Sequence, residues 1–252
     1  MSAFLSGMMI QEDETLDDLQ LNGLRLIQKK SGFRLCVDSV LLADFARIRP
    51  GDRVVDLGAG TGVLSLLLWG RKKGKSFYGF EIQPELAEMA QRTVRLNHLE
   101  DCIQIFCCDV KDAFHLLPHQ DTDAIVCNPP YPFTGGGEGE KSASRDISRH
   151  LSTEGLGAFL TAARRLLREK GKLFLVYPAS SMLDLMIRLR EHHLEPKRFR
   201  MVYPMADRPA ILVLIEAVNC GKPTLQPMPP LILQTPDGHL TNELKSIYHI
   251  SE

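Results

Sequence analysis

The sequence predicts an α/β domain, a mostly parallel seven-stranded sheet that ends in an antiparallel hairpin and carries a small N-terminal extension. Three observations predict it. From Arg53 onward, short apolar stretches of strand length alternate with helical patterns. A glycine-rich turn joins the first of these strands to the first of these helices. The last two strand patterns follow one another with no helix between them. Alternating strand and helix means parallel strands, right-handed crossovers and a sheet covered on both faces. Two consecutive strands imply an antiparallel return.

The elements follow in order. Residues 1–18 are acidic and read as a flexible terminus. Residues 19–50 form the extension, with strands at 24–28 and 33–37 and a helix at 39–47 that Pro50 ends. The core spans 51–220. Its first strand, 53–57, runs into the glycine turn, and an apolar helix follows at 62–71. A strand at 76–80 leads to an amphipathic helix at 84–97, with Pro84 in the first turn, where a missing N–H costs nothing. Strands come next at 103–107 and 122–127, the second bounded by Asn128, Pro129 and Pro130. A helix at 156–168 is stopped by Lys170-Gly171. A strand at 172–177, a helix at 181–192 and closing strands at 197–202 and 210–217 complete the core. Two segments read as loose. One is 132–144, with Gly135, Gly136, Gly137 and Gly139; the other is the Pro-rich 221–230, a linker into a tail that ends at 252.

Composition narrows the class. The chain has 252 residues, 44% hydrophobic and 24% charged, as expected of one globular α/β domain with small additions. The apolar run at 63–69 is far too short for a membrane span. The first twenty residues hold no Lys or Arg and no long apolar stretch, which argues against a signal peptide. None of the six cysteines forms a Cys-x-x-Cys pair, and the eight histidines do not fall at ligand spacing with them. Reduced core thiols, no metal and a cytoplasmic setting are the expectation.

Net charge is −1, which argues against a constitutively basic nucleic-acid binder. Five of the 31 acids, Glu12, Asp13, Glu14, Asp17 and Asp18, lie in the first twenty residues, leaving 26 against 30 bases in the rest. Basic clusters follow at Lys29, Lys30 and Arg34, at Arg164, Arg165, Arg168 and Lys170, and at Lys197, Arg198 and Arg200. Each suits phosphates, although any one alone is more simply a solvated face.

The turn reads Asp56-Leu57-Gly58-Ala59-Gly60-Thr61-Gly62. Glycines there admit positive φ and a ligand close to the backbone, at the C-terminal edge of the sheet. A dinucleotide site wants G-x-G-x-x-G and a helix N-terminus facing pyrophosphate. Here the spacing is G-x-G-x-G, and Asp56 stands where it repels pyrophosphate and attracts a cation. S-adenosylmethionine carries an ammonium and a sulfonium, and is the expected cofactor. Glu81, about twenty residues on, ends the second core strand, where an acid grips ribose hydroxyls. Asp109 ends the third and suits the adenine amine, with Ile82 and Val110 lining the ring. Gly58, Ala59 and Gly60 form the cradle.

Asn128-Pro129-Pro130-Tyr131 follows the fourth strand at the same edge. The prolines fix the loop and remove two donors. The Asn128 side-chain oxygen and the Pro129 carbonyl can then accept from one planar NH2 group, making its nitrogen more nucleophilic. Tyr131 stacks on the plane. The expected chemistry is transfer of the sulfonium methyl to that nitrogen.

With these motifs the chain resembles the nitrogen-modifying class of Rossmann-like methyltransferases, and within it the bacterial tRNA(Val) adenine-37 methyltransferase family. The likeness rests on Gln28…Gly32-Phe33-Arg34-Leu35…Asp38-Ser39-Val40-Leu41-Leu42, on the Asp56 and Asn128 motifs, and on Ser148-Arg149-His150…Gly171-Lys172…Val176-Tyr177-Pro178. It covers most of residues 20–250, with one departure at Cys36-Val37, where the family usually carries Gly-Thr. The resemblance implies a Rossmann-like methyltransferase fold and a tRNA partner whose adenine at position 37 is methylated on its exocyclic amine. It also implies Asp38 near the methionine end of the cofactor, with Arg34 and Arg149 toward substrate. Two other readings stand beside it. Glutamine methyltransferases of proteins share the Asn-Pro-Pro-Tyr logic but carry a larger helical N-terminal domain. A binding module without activity would not need an intact Asn-Pro-Pro-Tyr.

Overall fold

The computed structural model describes residues 10–31, 37–129 and 153–250. Near the N-terminus, β1 (Glu14–Asp18) and β2 (Arg25–Lys29) form an antiparallel hairpin. The main sheet is built from β3 (Arg53–Leu57), β4 (Ser76–Glu81), β5 (Ile103–Cys107), β6 (Thr122–Cys127), β7 (Leu167–Pro178), β8 (Leu194–Tyr203) and β9 (Leu212–Asn219). Two short strands, β10 (Gln226–Pro227) and β11 (Leu231–Ile232), bring it to nine. The spatial order is β10-β8-β9-β7-β6-β3-β4-β5, with β11 also on β8. Every pairing is parallel except those of β9 with β7 and β8.

Alternation along the strands divides the core. Val54, Val126, Phe174 and Leu214 face one side, where α1 (Val37–Phe45), α2 (Val63–Gly70) and α3 (Pro84–Leu96) pack. Val55, Leu57, Ile125, Leu173 and Leu175 face the other, beneath α4 (Ala113–Leu116), α5 (Thr153–Leu166) and α6 (Met182–Glu191). A final helix, α7 (Asn242–Ile247), buries Leu244 and Ile247 in the first of these layers. Among the described residues no helix is long and apolar enough to cross a membrane.

Four expectations are corrected. The acidic terminus is not loose at its end, because Glu14–Asp18 is a strand. Glu14 is buried, and its two oxygens accept from the Arg92 guanidinium on α3 at 2.6 and 2.7 Å. That guanidinium holds the Glu14 carboxyl below the usual carboxylate range. Asn97 pairs with both backbone groups of Arg25, so the hairpin docks on α3 through side chains that charge composition does not reveal. The strand expected at 33–37 lies mostly outside the described residues, and Val37 itself begins α1.

The helix also does not run on to a stop at Lys170-Gly171, since α5 ends at Leu166 and β7 begins at Leu167. Thr122 pairs with Leu167 and Ala124 with Lys172, so five steps on β7 oppose two on β6. Lys170 has a φ of 61° at this bulge, and the turn signal marks a kink inside a strand. The Pro-rich segment is not a linker, since β10 and β11 lie along β8. Arg200 donates to the carbonyls of Pro229 and Pro230 and to Glu243 on α7. These additions raise the strand count from seven to nine.

The Glu14–Arg92 pair gives a stability prediction. Glu14→Ala removes one of two carboxylates from a largely buried guanidinium, with Glu88 still accepting from its Nε, and should cost about 2 kcal/mol in urea unfolding. Replacing both residues by Leu should cost less. The Glu14 contribution is present above pH 4.5 and should fade as pH drops through its lowered folded value.

Candidate active site

The C-terminal edge of the parallel strands brings the acidic and amide residues together. Asp56 on β3 is in register with Gly79 on β4 and Val126 on β6. Asn128 lies two residues beyond Val126, and Glu81 two beyond Gly79. With period-two alternation, Asn128, Asp56 and Glu81 share the face that carries α1 and α2. Asp109 follows on from β5, so four adjacent strands present Asn128, Asp56, Glu81 and Asp109 in that order.

The glycine turn lies over this edge. Gly58, Gly60 and Gly62 have φ of 74°, 55° and 80°, the left-handed region. The amides of Gly58 and Ala59 donate to the Phe80 carbonyl at 2.9 and 3.0 Å, which ties the turn to β4. The glycines serve different ends. A Cβ on Gly58 would meet the Phe159 ring of α5 at 3.1 Å, so its bareness admits helix packing. A Cβ on Gly60 would meet nothing within 4 Å, and there the backbone is open to a ligand.

Glu81 is buried, and each of its oxygens takes one backbone donor, Gly60 N–H and Gln83 N–H, both at 2.9 Å. A carboxylate has about four lone-pair sites, so capacity for two hydroxyls remains. Asp109 caps the short turn after β5 by accepting from Lys111 N–H at 2.9 Å. Ile82 stands 56% exposed beside Glu81, an apolar surface fit for a ring. Val110, its expected partner, is instead buried with Phe80 and Ala113 in the core of the opposite face.

Asp56 is fully buried. Its Oδ2 accepts from Ser65 Oγ at 3.0 Å, while its Oδ1 has no partner among the described residues. Burial, with the Glu81 charge adding to it, pushes its pKa up to about 7. An orphaned buried carboxylate oxygen beside an open glycine backbone is a receptor for a cation with N–H donors.

Asn128 is half-buried and donates from Nδ2 to Ser39 Oγ on α1 at 3.3 Å. Asp38 precedes Ser39 in the first turn of α1, beside the same edge. Pro129 is buried. Pro130, Tyr131, Arg34 and Arg149 lie outside the described residues, as does the glycine-rich 132–144. Sequence reasoning assigned no role to Ser39, Ser65 or Phe159. Ser65 carries a signal, as the lone polar residue between Val63 and Trp69; Phe159 carries none.

The basic clusters are spent elsewhere. Lys29 binds Asp13 and Glu85, each at 2.7 Å, and Lys30 donates to the Glu12 carbonyl. Arg198 is buried against Glu216, the Phe45 carbonyl and the Phe45 ring. Lys197 binds Thr224 and the Lys222 carbonyl. Arg168 and Lys170 open β7, at the edge opposite the site. Lys29 and Lys30 hold the hairpin, and Lys197 holds the segment that follows β9.

The Asp56 geometry predicts an exchange of stability for binding. A folded pKa raised above the unfolded one gives stability that is fully present below pH 3.8 and lost as pH rises through about 7. Asp56→Asn should therefore stabilise the ligand-free protein at pH 8, on the order of 2–4 kcal/mol in urea unfolding, and change little at pH 4. A variant no more stable than the parent at pH 8 would count against the buried charge.

The chain is similar to known methyltransferases. The methyltransferase small domain family model matches residues 35–195. A curated tRNA1(Val) (adenine(37)-N6)-methyltransferase of Porphyromonas gingivalis is 30% identical over 200 residues, 71% of this chain and 78% of the relative. The chain spans 61% of the length of two other curated relatives with the same name. Among solved structures, the Agrobacterium tumefaciens protein Atu636, described as a predicted O-methyltransferase, superposes with a TM-score of 0.67 at 21% identity, covering 84% of this chain and 96% of that one. M. jannaschii TYW2, solved in complex with AdoMet, superposes with a TM-score of 0.55 at 15% identity, covering 82% and 86%. The chain belongs to the methyltransferase small domain family and, within it, to the family of the tRNA1(Val) (adenine(37)-N6)-methyltransferases.

Proposed function

We propose that this protein is an S-adenosylmethionine-dependent N-methyltransferase that acts on the exocyclic amine of adenine in tRNA, at the anticodon-adjacent position 37. The observation that carries the reading is Asn128 at the end of β6, held by Ser39 on the same face as the orphaned Asp56 oxygen. The names of the relatives support the tRNA substrate, and the tRNA partner belongs to cytoplasmic chemistry.

The residues fit the cofactor. Asp56 Oδ1 suits its ammonium, the open side of Gly60 its approach to the backbone, Glu81 its ribose hydroxyls, and Asp109 with Ile82 its adenine. Asp38 stands toward the methionine end. When bound, S-adenosylmethionine supplies a methyl group on a sulfonium. Asn128 Oδ1 and the Pro129 carbonyl accept from the two hydrogens of the target amine, and Tyr131 stacks on its base. The nitrogen held by Asn128 and Pro129 would receive that methyl group, and the surplus amine proton would pass to water. Positioning and electrostatics supply the acceleration. The base must leave its stack to reach the edge. Arg34 and Arg149 are proposed to meet the RNA.

Labelled-methyl transfer to total RNA, followed by nucleoside mass spectrometry, tests the reading. N6-methyladenosine in tRNA is expected. Label only in protein extract would move the substrate to a glutamine side chain, and label in neither would reject the reaction. Asn128→Ala should keep cofactor affinity within a few-fold and lower turnover by ~10²–10³, the range for loss of one preorganised polar contact. Equal loss of affinity and turnover would make Asn128 a cofactor or folding residue instead.

A further inference from the structure

We infer that Ser39 is a positioning residue that holds the Asn128 amide where its Oδ1 can face the substrate. The inference rests on the methyltransferase reading of Asn128. A primary amide carries one acceptor and two donors in nearly isosteric places. Only the orientation with Oδ1 toward an amine draws on its hydrogens; the flipped amide sets donor against donor. Ser39 Oγ, 3.3 Å from Nδ2, gives the nitrogen end a fixed partner. Ser39 is only 3% exposed, so water competes poorly for that contact.

The partner is fixed because α1 is held at its far end. Lys73 Nζ donates to the carbonyls of Ala43 and Asp44 at 2.8 and 2.7 Å. Arg198 donates to the Phe45 carbonyl at 2.9 Å, and its guanidinium lies 4.2 Å from the centre of the Phe45 ring. Arg71 reaches Asp44 Oδ1 at 3.4 Å and the Ile247 carbonyl at 2.5 Å. Three cations thus bind the C-terminal end of α1, where the unpaired carbonyls and the negative end of the helix dipole favour them. Val40, Leu41, Leu42 and Ala43 are buried between the two ends. The helix spans the distance as a strut, and Ser39 is its tip at the site.

A double-mutant cycle in the labelled-methyl assay tests this. Ser39→Ala should lower kcat about five- to tenfold, the worth of one oriented hydrogen bond, and leave cofactor affinity and the KM for RNA unchanged. Ser39→Thr, which keeps the hydroxyl, should recover most of the loss. In an Asn128→Ala background, Ser39→Ala should cost nothing further. The same fractional loss in both backgrounds would overturn the inference, as would a Ser39→Ala protein with the kcat of the parent. The outcome separates from that of the functional reading. If the parent protein labels protein rather than RNA, the tRNA substrate falls while the cycle, run on that acceptor, still decides Ser39. If the parent labels neither, both fall.

Discussion

A carboxylate buried at the end of the central strand is the constraint on which the site depends. Asp56 lies wholly inside the protein, and among the described residues only one of its oxygens has a hydrogen-bond donor. An isolated buried charge is costly enough that its pKa rises toward neutrality, and here it reaches about 7. A cation that reached the unpaired oxygen would offset that cost. Ser65 sets the rotamer by holding Oδ2. Glu81 adds a second negative charge while tying Gly60 and Gln83 to β4. The ligand-free protein thus stores some of its binding free energy as strain at Asp56.

The outer elements keep that edge in place. The hairpin is anchored to α3 by Glu14 and Arg92, and Lys29 draws Asp13 to Glu85 at the start of the same helix. On the other flank, Arg200 fastens the tail to β8, and Arg198 fastens α1 to β8. Charges that composition offers to RNA are therefore consumed in holding additions against the core.

Much of this was legible in the sequence. Arg53–Leu57, Ile103–Cys107 and Thr122–Cys127 are strands over the residues read as strands, because short apolar runs bounded by Gly, Asp or Asn-Pro permit little else. Asp56, Glu81, Asp109 and Asn128 were legible for the same reason, since each is a polar residue at or just past the C-terminal end of an apolar strand. What escaped depends on contacts distant in sequence. No local pattern says that Glu14 rather than Asp13 meets Arg92, 78 residues away. Lys170-Gly171 carries the same turn chemistry whether it ends a helix or kinks a strand. The prolines of 221–230 look like a linker until Arg200 is seen to collect their carbonyls. Ser39 sits in plain view, but its meaning depends on Asn128, 89 residues on.

The most direct measurement of the central claim is the proton released when S-adenosylmethionine binds. At pH 6 a carboxyl with a pKa of about 7 is roughly nine-tenths protonated, whereas the ligand's α-ammonium is already charged. An incoming ammonium must drive Asp56 to its carboxylate. Calorimetry at pH 6 in two buffers of different ionisation enthalpy should therefore report close to one proton released per site, and none from Asp56 at pH values well above 7. Identical binding heats in the two buffers at pH 6 would mean that Asp56 does not meet the cation, and would contradict the account.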